Sequence, residues 1–265
     1  MSNVAFLDLP THRLHYRIDG ERGPWLLFCN SLGTDLHMWD AQAQALSSSF
    51  RVLRYDRRGH GRSSAPPPPY SLADLGGDVL ALLDALQIER VNFCGLSIGG
   101  LVGQWLGVHA GERLQQLVVC ATAARIGTPE SWQARSAQVR EEGLSPLLDA
   151  TAERWFTAAF RATQPAVVDD ILQRFAATAV DGYRGCCDAL AGADLRPDLA
   201  RIQVPLLAIS GDDDPVCTPA DLQHIAEQVA DGRHQSLPGR HIVNIESAAA
   251  FTTTLTAFLT PTPIS

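Results

Sequence analysis

Lysine is absent from this 265-residue chain, and all 21 of its basic residues are arginine. That absence excludes Schiff-base and pyridoxal chemistry and the lysine of a phosphate-binding loop. Positive charge is also in deficit. The formal balance of −8 makes nonspecific nucleic-acid binding an unexpected role. No apolar run reaches the roughly 18 residues needed to cross a bilayer, so no membrane partner is expected. The opening MSNVAFLDLP lacks a basic stretch followed by an apolar one, so no secretory leader is expected either. The cysteines Cys29, Cys94, Cys120, Cys186, Cys187 and Cys217 show no CxxC spacing. Three of them lie in apolar, strand-like runs, so a reduced, structural set in a cytoplasmic protein is expected. Aromatics are few, at 7%, while glycine is frequent, as in tightly turned α/β folds.

What is present is apolar residue, 46% of the chain, enough for one compact domain or one domain with an inserted lid. Strand patterns fall at 4–9, 13–19, 25–31, 50–56, 90–96, 115–121, 205–211 and 233–237. The runs WLLFCN and PLLAIS are apolar on both faces, which predicts a mostly parallel, twisted sheet of eight strands covered by helices. Ser71 and Asp74 form a capping signal before a helical apolar repeat from Leu72 to Leu86. Another helix is expected over 242–259. Between 123 and 195 the alternation stops. Thr128-Pro129 and Ser145-Pro146 are cap-then-proline helix starts, and helical patterns follow at 129–142, 146–157, 165–179 and 182–190. An all-helical cap (123–195) inserted in an α/β core (1–122 and 196–265) is therefore predicted.

The stretch FCGLSIGG, residues 93–100, ends a strand with glycine on both sides of Ser97. A strand that enters a helix through one residue forces that residue to positive φ, and its neighbours two places away must be small. The turn lifts the hydroxyl above the sheet at a helix N-terminus, where the N–H of Ile98 points toward a nearby oxyanion. The pattern is short, and its weight comes from its place between the strand VNFCG and the helical LVGQWLGVHA.

A serine nucleophile needs a base, and the base an orienting acid, in the chain order Ser, Asp or Glu, His for such a sheet. After PLLAIS comes Gly211-Asp212-Asp213-Asp214-Pro215. Asp214 is the expected acid, nearest the Thr218-Pro219 helix start, with Asp212 and Asp213 as alternatives and the remainder of the trio read as a solvated turn. Of the later histidines, His224 lies in a helical pattern and His234 in a strand. His241 follows the last strand and is the expected base. His60 is expected to shape a loop. The second oxyanion donor is expected from the loop Asn30-Ser31-Leu32-Gly33-Thr34, at the Leu32 N–H, with Gly33 permitting close approach.

The phrases NSLGTDLHMW, YDRRGHGRSS, CGLSIGG, SGDDDPVCTP and LPGRHIVNIE together resemble the α/β-hydrolase fold over nearly the whole chain. RIGTPESWQAR, ERWFTAAF and DGYRGCCDALAGADLR resemble in particular the 3-oxoadipate enol-lactonases of the β-ketoadipate pathway. The resemblance implies a small anionic enol lactone as substrate, 3-oxoadipate as product, and no metal or organic cofactor. Segment 123–194 holds seven arginines against ten acids, so recognition of the anion must be local. Arg125, Trp132, Arg135 and Trp155 are the candidates. The triad alone does not separate this activity from that of a carboxylesterase, a carbon–carbon bond hydrolase or a perhydrolase. Ser97 argues against relatives that use an aspartate nucleophile, and the intact trio argues against a non-catalytic receptor. The sequence sets no oligomeric state.

Overall fold

The computed structural model describes residues 3–260; the outermost residues of the expected core, 1–2 and 261–265, lie outside the described residues. The strands are β1 (Asn3–Asp8), β2 (Arg13–Asp19), β3 (Trp25–Cys29), β4 (Arg51–Tyr55), β5 (Val91–Leu96), β6 (Leu114–Cys120), β7 (Leu206–Gly211) and β8 (Gly232–Leu237). They form one sheet in the order β1-β2-β4-β3-β5-β6-β7-β8. The first two pairings are antiparallel and the others parallel. Every residue of β5 and β7 is buried, as their unbroken apolar runs require of strands covered on both faces. β8, at the sheet edge, alternates in exposure instead.

The sheet changes direction at β3, which pairs with β4 on one side and β5 on the other. Loops leaving the carboxyl ends of β3 and β5 must therefore diverge around a crevice, the place where open α/β sheets bind ligands. Cys29 pairs with Gly95, so the loop after β3 starts beside the turn after β5.

The helices between strands are α1 (Asp40–Leu46), α2 (Leu72–Ala85) and α3 (Ile98–His109). Ser71 and Asp74 close the expected capping box on α2. Between β6 and β7 come α4 (Pro129–Glu142), α5 (Leu148–Trp155), α6 (Ala158–Thr163), α7 (Pro165–Ala176) and α8 (Val180–Gly192), with no strand among the described residues. The chain ends with α9 (Pro219–Gln228), α10 (Val243–Glu246) and α11 (Ala248–Leu259). The strand expected over 25–31 stops at Cys29, because Asn30 and Ser31 turn into the loop. The helix expected over 146–157 is a 3₁₀ turn followed by α5, and the one expected over 242–259 breaks at Ser247. All six cysteines are buried and free. No helix among the described residues is long and apolar enough to cross a membrane.

Candidate active site

Ser97 is the single residue between β5 and α3, with φ 59° and ψ −120°. A non-glycine residue held there is strained by about 1–3 kcal/mol. Its surroundings hold it in place: Ser97 N–H donates to Cys120 O at 2.9 Å, and the Thr122 hydroxyl donates to Ser97 O at 2.8 Å. The flanking glycines are steric necessities. A Cβ on Gly95 would lie 2.1 Å from Gly99 O, and one on Gly99 would lie 2.3 Å from Cys29 O.

The loop after β3 is fastened from below. Asn30 donates to Tyr55 O at 2.8 Å and accepts from the Trp39 indole at 3.1 Å, while the buried Arg57 guanidinium donates to Asn30 O. Within the loop, Ser31 N–H goes to Met38 Sδ, Gly33 N–H to His60 Nε2 at 3.0 Å, and Thr34 N–H to Ser31 O. Among the described residues the N–H groups of Leu32 and Ile98 have no protein acceptor. The two donors follow strands that pair with each other, Cys29 lying opposite Gly95. Gly33, at φ 75°, makes room for a side chain rather than for backbone: a Cβ there would meet the Phe175 ring at 2.4 Å. His60 is the loop-shaping residue expected of it. Burial first, and then the Arg57 cation, lower its pKa from 6.5 to about 3, so it stays a neutral acceptor for Gly33.

His241, in the loop between β8 and α10, contacts Asp214 through Nδ1 and Oδ2 at 2.8 Å, with side-chain exposures of 3% and 0%. The other carboxylate oxygen of Asp214 accepts from the N–H groups of Val216 and Cys217 at 2.8 and 3.2 Å. Asp212 and Asp213 are exposed, as expected of the rest of the turn, and each also holds a partner. Asp212 accepts from Gly239 N–H at 2.9 Å, and Asp213 pairs with Arg240 Nε at 2.8 Å. His224 is exposed, and His234 pairs with Ser210 at 2.9 Å.

Ser97, His241 and Leu32 line one cavity of about 230 Å³. Of the two contacts a serine–imidazole–carboxylate relay needs, the structure makes the second; Ser97 and His241 share the cavity without a direct hydrogen bond among the described residues. Such contacts commonly tighten only when substrate is in place.

Trp132, Arg135 and Trp155 line the same cavity, as expected, but Arg125 does not. It turns toward Asp194, 3.8 Å away, which corrects its place among the substrate candidates. Trp132 lines the cavity with its ring only, because its indole N–H donates to Ile126 O at 2.6 Å. Arg154 also lines the cavity and was missed. Neither Arg135 nor Arg154 has a carboxylate within ion-pairing distance among the described residues. Burial first, and then the neighbouring Arg135 cation, lower the pKa of Arg154. Two half-buried cations thus face one cavity in an acidic protein. No group of three or more His, Cys, Asp or Glu side chains among the described residues is placed to hold a metal ion.

A family model for the alpha/beta hydrolase fold matches residues 24–248. The chain belongs to that family. This hydrolase is 46% identical to 3-oxoadipate enol-lactonase 2 of Acinetobacter baylyi over 239 residues, 90% of each chain. It is 39% identical to 3-oxoadipate enol-lactonase 1 of the same organism over 247 residues, 93% of this chain and 92% of that one. Its fold superposes on the crystal structure of the enol-lactonase from Burkholderia xenovorans LB400 with a TM-score of 0.95, at 48% identity, covering 97% of this chain and 100% of that one. The fold class and the resemblance read from the sequence phrases are both borne out.

Proposed function

We propose that this hydrolase opens 3-oxoadipate enol-lactone to 3-oxoadipate, a step of aromatic-compound catabolism, by nucleophilic catalysis at Ser97. The observation that carries the reading is the cavity itself: a strained serine at a helix N-terminus, the loop residue Leu32 and an imidazole anchored on a buried carboxylate share it with two arginines that have no ion-pair partner among the described residues. Identity of 46% to a relative named for this reaction supports the substrate.

In this reading His241 takes the Ser97 proton as the oxygen attacks the lactone carbonyl, and the Leu32 and Ile98 N–H groups hold the resulting oxyanion. Collapse breaks the ring C–O bond and expels an enolate, which takes the proton from the imidazolium and settles as the ketone. Because an enolate leaves more readily than an alkoxide, little acid help is needed. Water, deprotonated by His241, then cleaves the acyl-serine ester and releases the dicarboxylate product. The substrate carboxylate sits against Arg135 and Arg154, whose guanidinium groups suit carboxylate geometry. Residues 123–195 act as a helical cap over a core of 1–122 and 196–265, and the cap brings the arginines to a site whose reacting groups all stand on core loops. The reaction needs no metal or organic cofactor, and the enzyme works in the cytoplasm.

The test is turnover of purified protein on generated enol lactone beside a panel of plain esters. The reading expects kcat/KM for the lactone to exceed that for uncharged esters by about 100-fold or more, the worth of a charge-assisted pair in a desolvated pocket. Equal rates across the panel would favour a general carboxylesterase.

A further inference from the structure

The three aspartates after β7 and the three residues ending in His241 face each other rung by rung. Asp212 holds Gly239, Asp213 holds Arg240, and Asp214 holds His241. This ladder fixes the imidazole on one side. The other side is fastened to the helical segment between β6 and β7. Arg240 Nη1 donates to Glu153 O at 2.5 Å, and Ile242 N–H donates to Trp155 O at 3.2 Å. The residues on both flanks of His241 therefore hang from the last turn of α5, the helix that carries Arg154 and Trp155 into the cavity.

Glu246 closes this arrangement. One carboxylate oxygen accepts from Arg240 N–H at 2.8 Å, and the other accepts from Thr157 N–H at 3.1 Å and from the Thr157 hydroxyl. Thr157 is the N-cap of α6, so a single carboxylate ties the histidine loop to the α5–α6 junction. Three donors from two chain segments converge on it, and only a group with two acceptor oxygens serves both segments.

We infer that Glu246 is a positioning residue that sets the imidazole of His241 by coupling its loop to the seating of the α5–α6 junction. The inference rests on the reading of His241 as the base. Glu246 touches no reacting atom and acts through Arg240. When the junction is seated, the base and the substrate-facing side chains of α5 are held in one register. When the junction lifts, both are released together, so the site is assembled only under a closed cap. Displacing a base by about 1 Å costs on the order of 100-fold in rate, which is the scale of effect available to such a tie.

The test compares Glu246→Gln, Glu246→Ala, Thr157→Val and Thr157→Ser with the parent enzyme. It measures kcat and KM on the enol lactone and the second-order rate of fluorophosphonate labelling, which needs the base but not the lactone. Glu246→Gln keeps one acceptor oxygen, serves one segment, and should lower kcat and labelling rate together by about 10-fold, with KM changed less than about threefold. Glu246→Ala should lose more. Thr157→Val, which removes only the hydroxyl, should fall in the same direction, and Thr157→Ser should restore the parent rate. Unchanged labelling in both Glu246→Gln and Thr157→Val, or a KM that rises at constant kcat, would overturn the inference and leave a structural tie. These two variants decide the matter if Glu246→Ala does not fold. Ser97→Ala separates the two levels: if it still turns over lactone, the reading of the site fails and the inference with it, whereas a silent Ser97→Ala beside an unaffected Glu246→Gln and Thr157→Val rejects only the inference.

Discussion

His60 predicts a pH dependence of stability that one substitution removes. The side chain is fully buried, donates from Nδ1 to Arg58 O at 3.2 Å and accepts at Nε2 from Gly33 N–H at 3.0 Å. Both bonds belong to the neutral imidazole; a proton on Nε2 would turn the acceptor into a second donor facing an N–H. Burial and the Arg57 cation accordingly bring the pKa from 6.5 to about 3. Between those values the unfolded chain binds a proton that the folded one refuses. The contribution of His60 is therefore complete above about pH 6.5, shrinks as pH falls, and levels off below about pH 3. At about 1.4 kcal/mol per pH unit the full loss is roughly 5 kcal/mol, and about 2 kcal/mol of it should be gone by pH 5. Urea unfolding at pH 7.5 and pH 5 measures this directly in the parent and in His60→Gln, whose amide accepts from Gly33 without titrating. The parent should lose about 2 kcal/mol more than the variant over that interval. Equal losses, or a steeper loss in the variant, would refute the assignment of His60 as a neutral prop of the loop after β3.

Asp214→Asn should lower kcat by about 10⁴ by disturbing the tautomer of His241, while Asp212→Asn and Asp213→Asn, which touch only its neighbours, should cost far less; steady-state kinetics of the three variants checks this, and a larger loss at Asp212 or Asp213 would move the acid. Arg135→Met and Arg154→Met should each weaken use of the anionic lactone by about 10–100-fold, mostly in KM, and leave a neutral ester nearly unaffected. Arg125→Met should match the parent on both substrates, because Arg125 faces Asp194 outside the cavity.

Much of this architecture was legible in the residues because the central strands are buried on both faces and read as apolar runs between turns. α1 was not. Its Gln42 is fully buried and donates to Asn244 O at 2.8 Å, so a polar letter stands where the apolar stripe should show. α6 escaped because none of its residues is buried, which leaves no stripe at all. The break at Ser247 was hidden because its cause lies elsewhere in the chain: the Ser247 hydroxyl donates to Pro238 O at 2.5 Å, and the Glu246 carboxylate turns back to the histidine loop. The same contrast holds in the site. Ser97 was readable because glycines two residues away are forced by local sterics. Asp214 and His241 were readable because chain order and strand ends place them. Arg57 and Arg154 carry no local mark. One is known by the carbonyl it grips beneath the loop after β3, the other by the cavity it faces, and both facts come from packing between segments remote in sequence.

The most direct measurement of the central claim is intact-mass analysis and peptide mapping after exposure to a serine-directed fluorophosphonate. The account predicts one adduct per chain, on Ser97, formed at a rate that collapses in His241→Ala and to nothing in Ser97→Ala. An adduct on another residue, or undiminished labelling of Ser97→Ala, would contradict it.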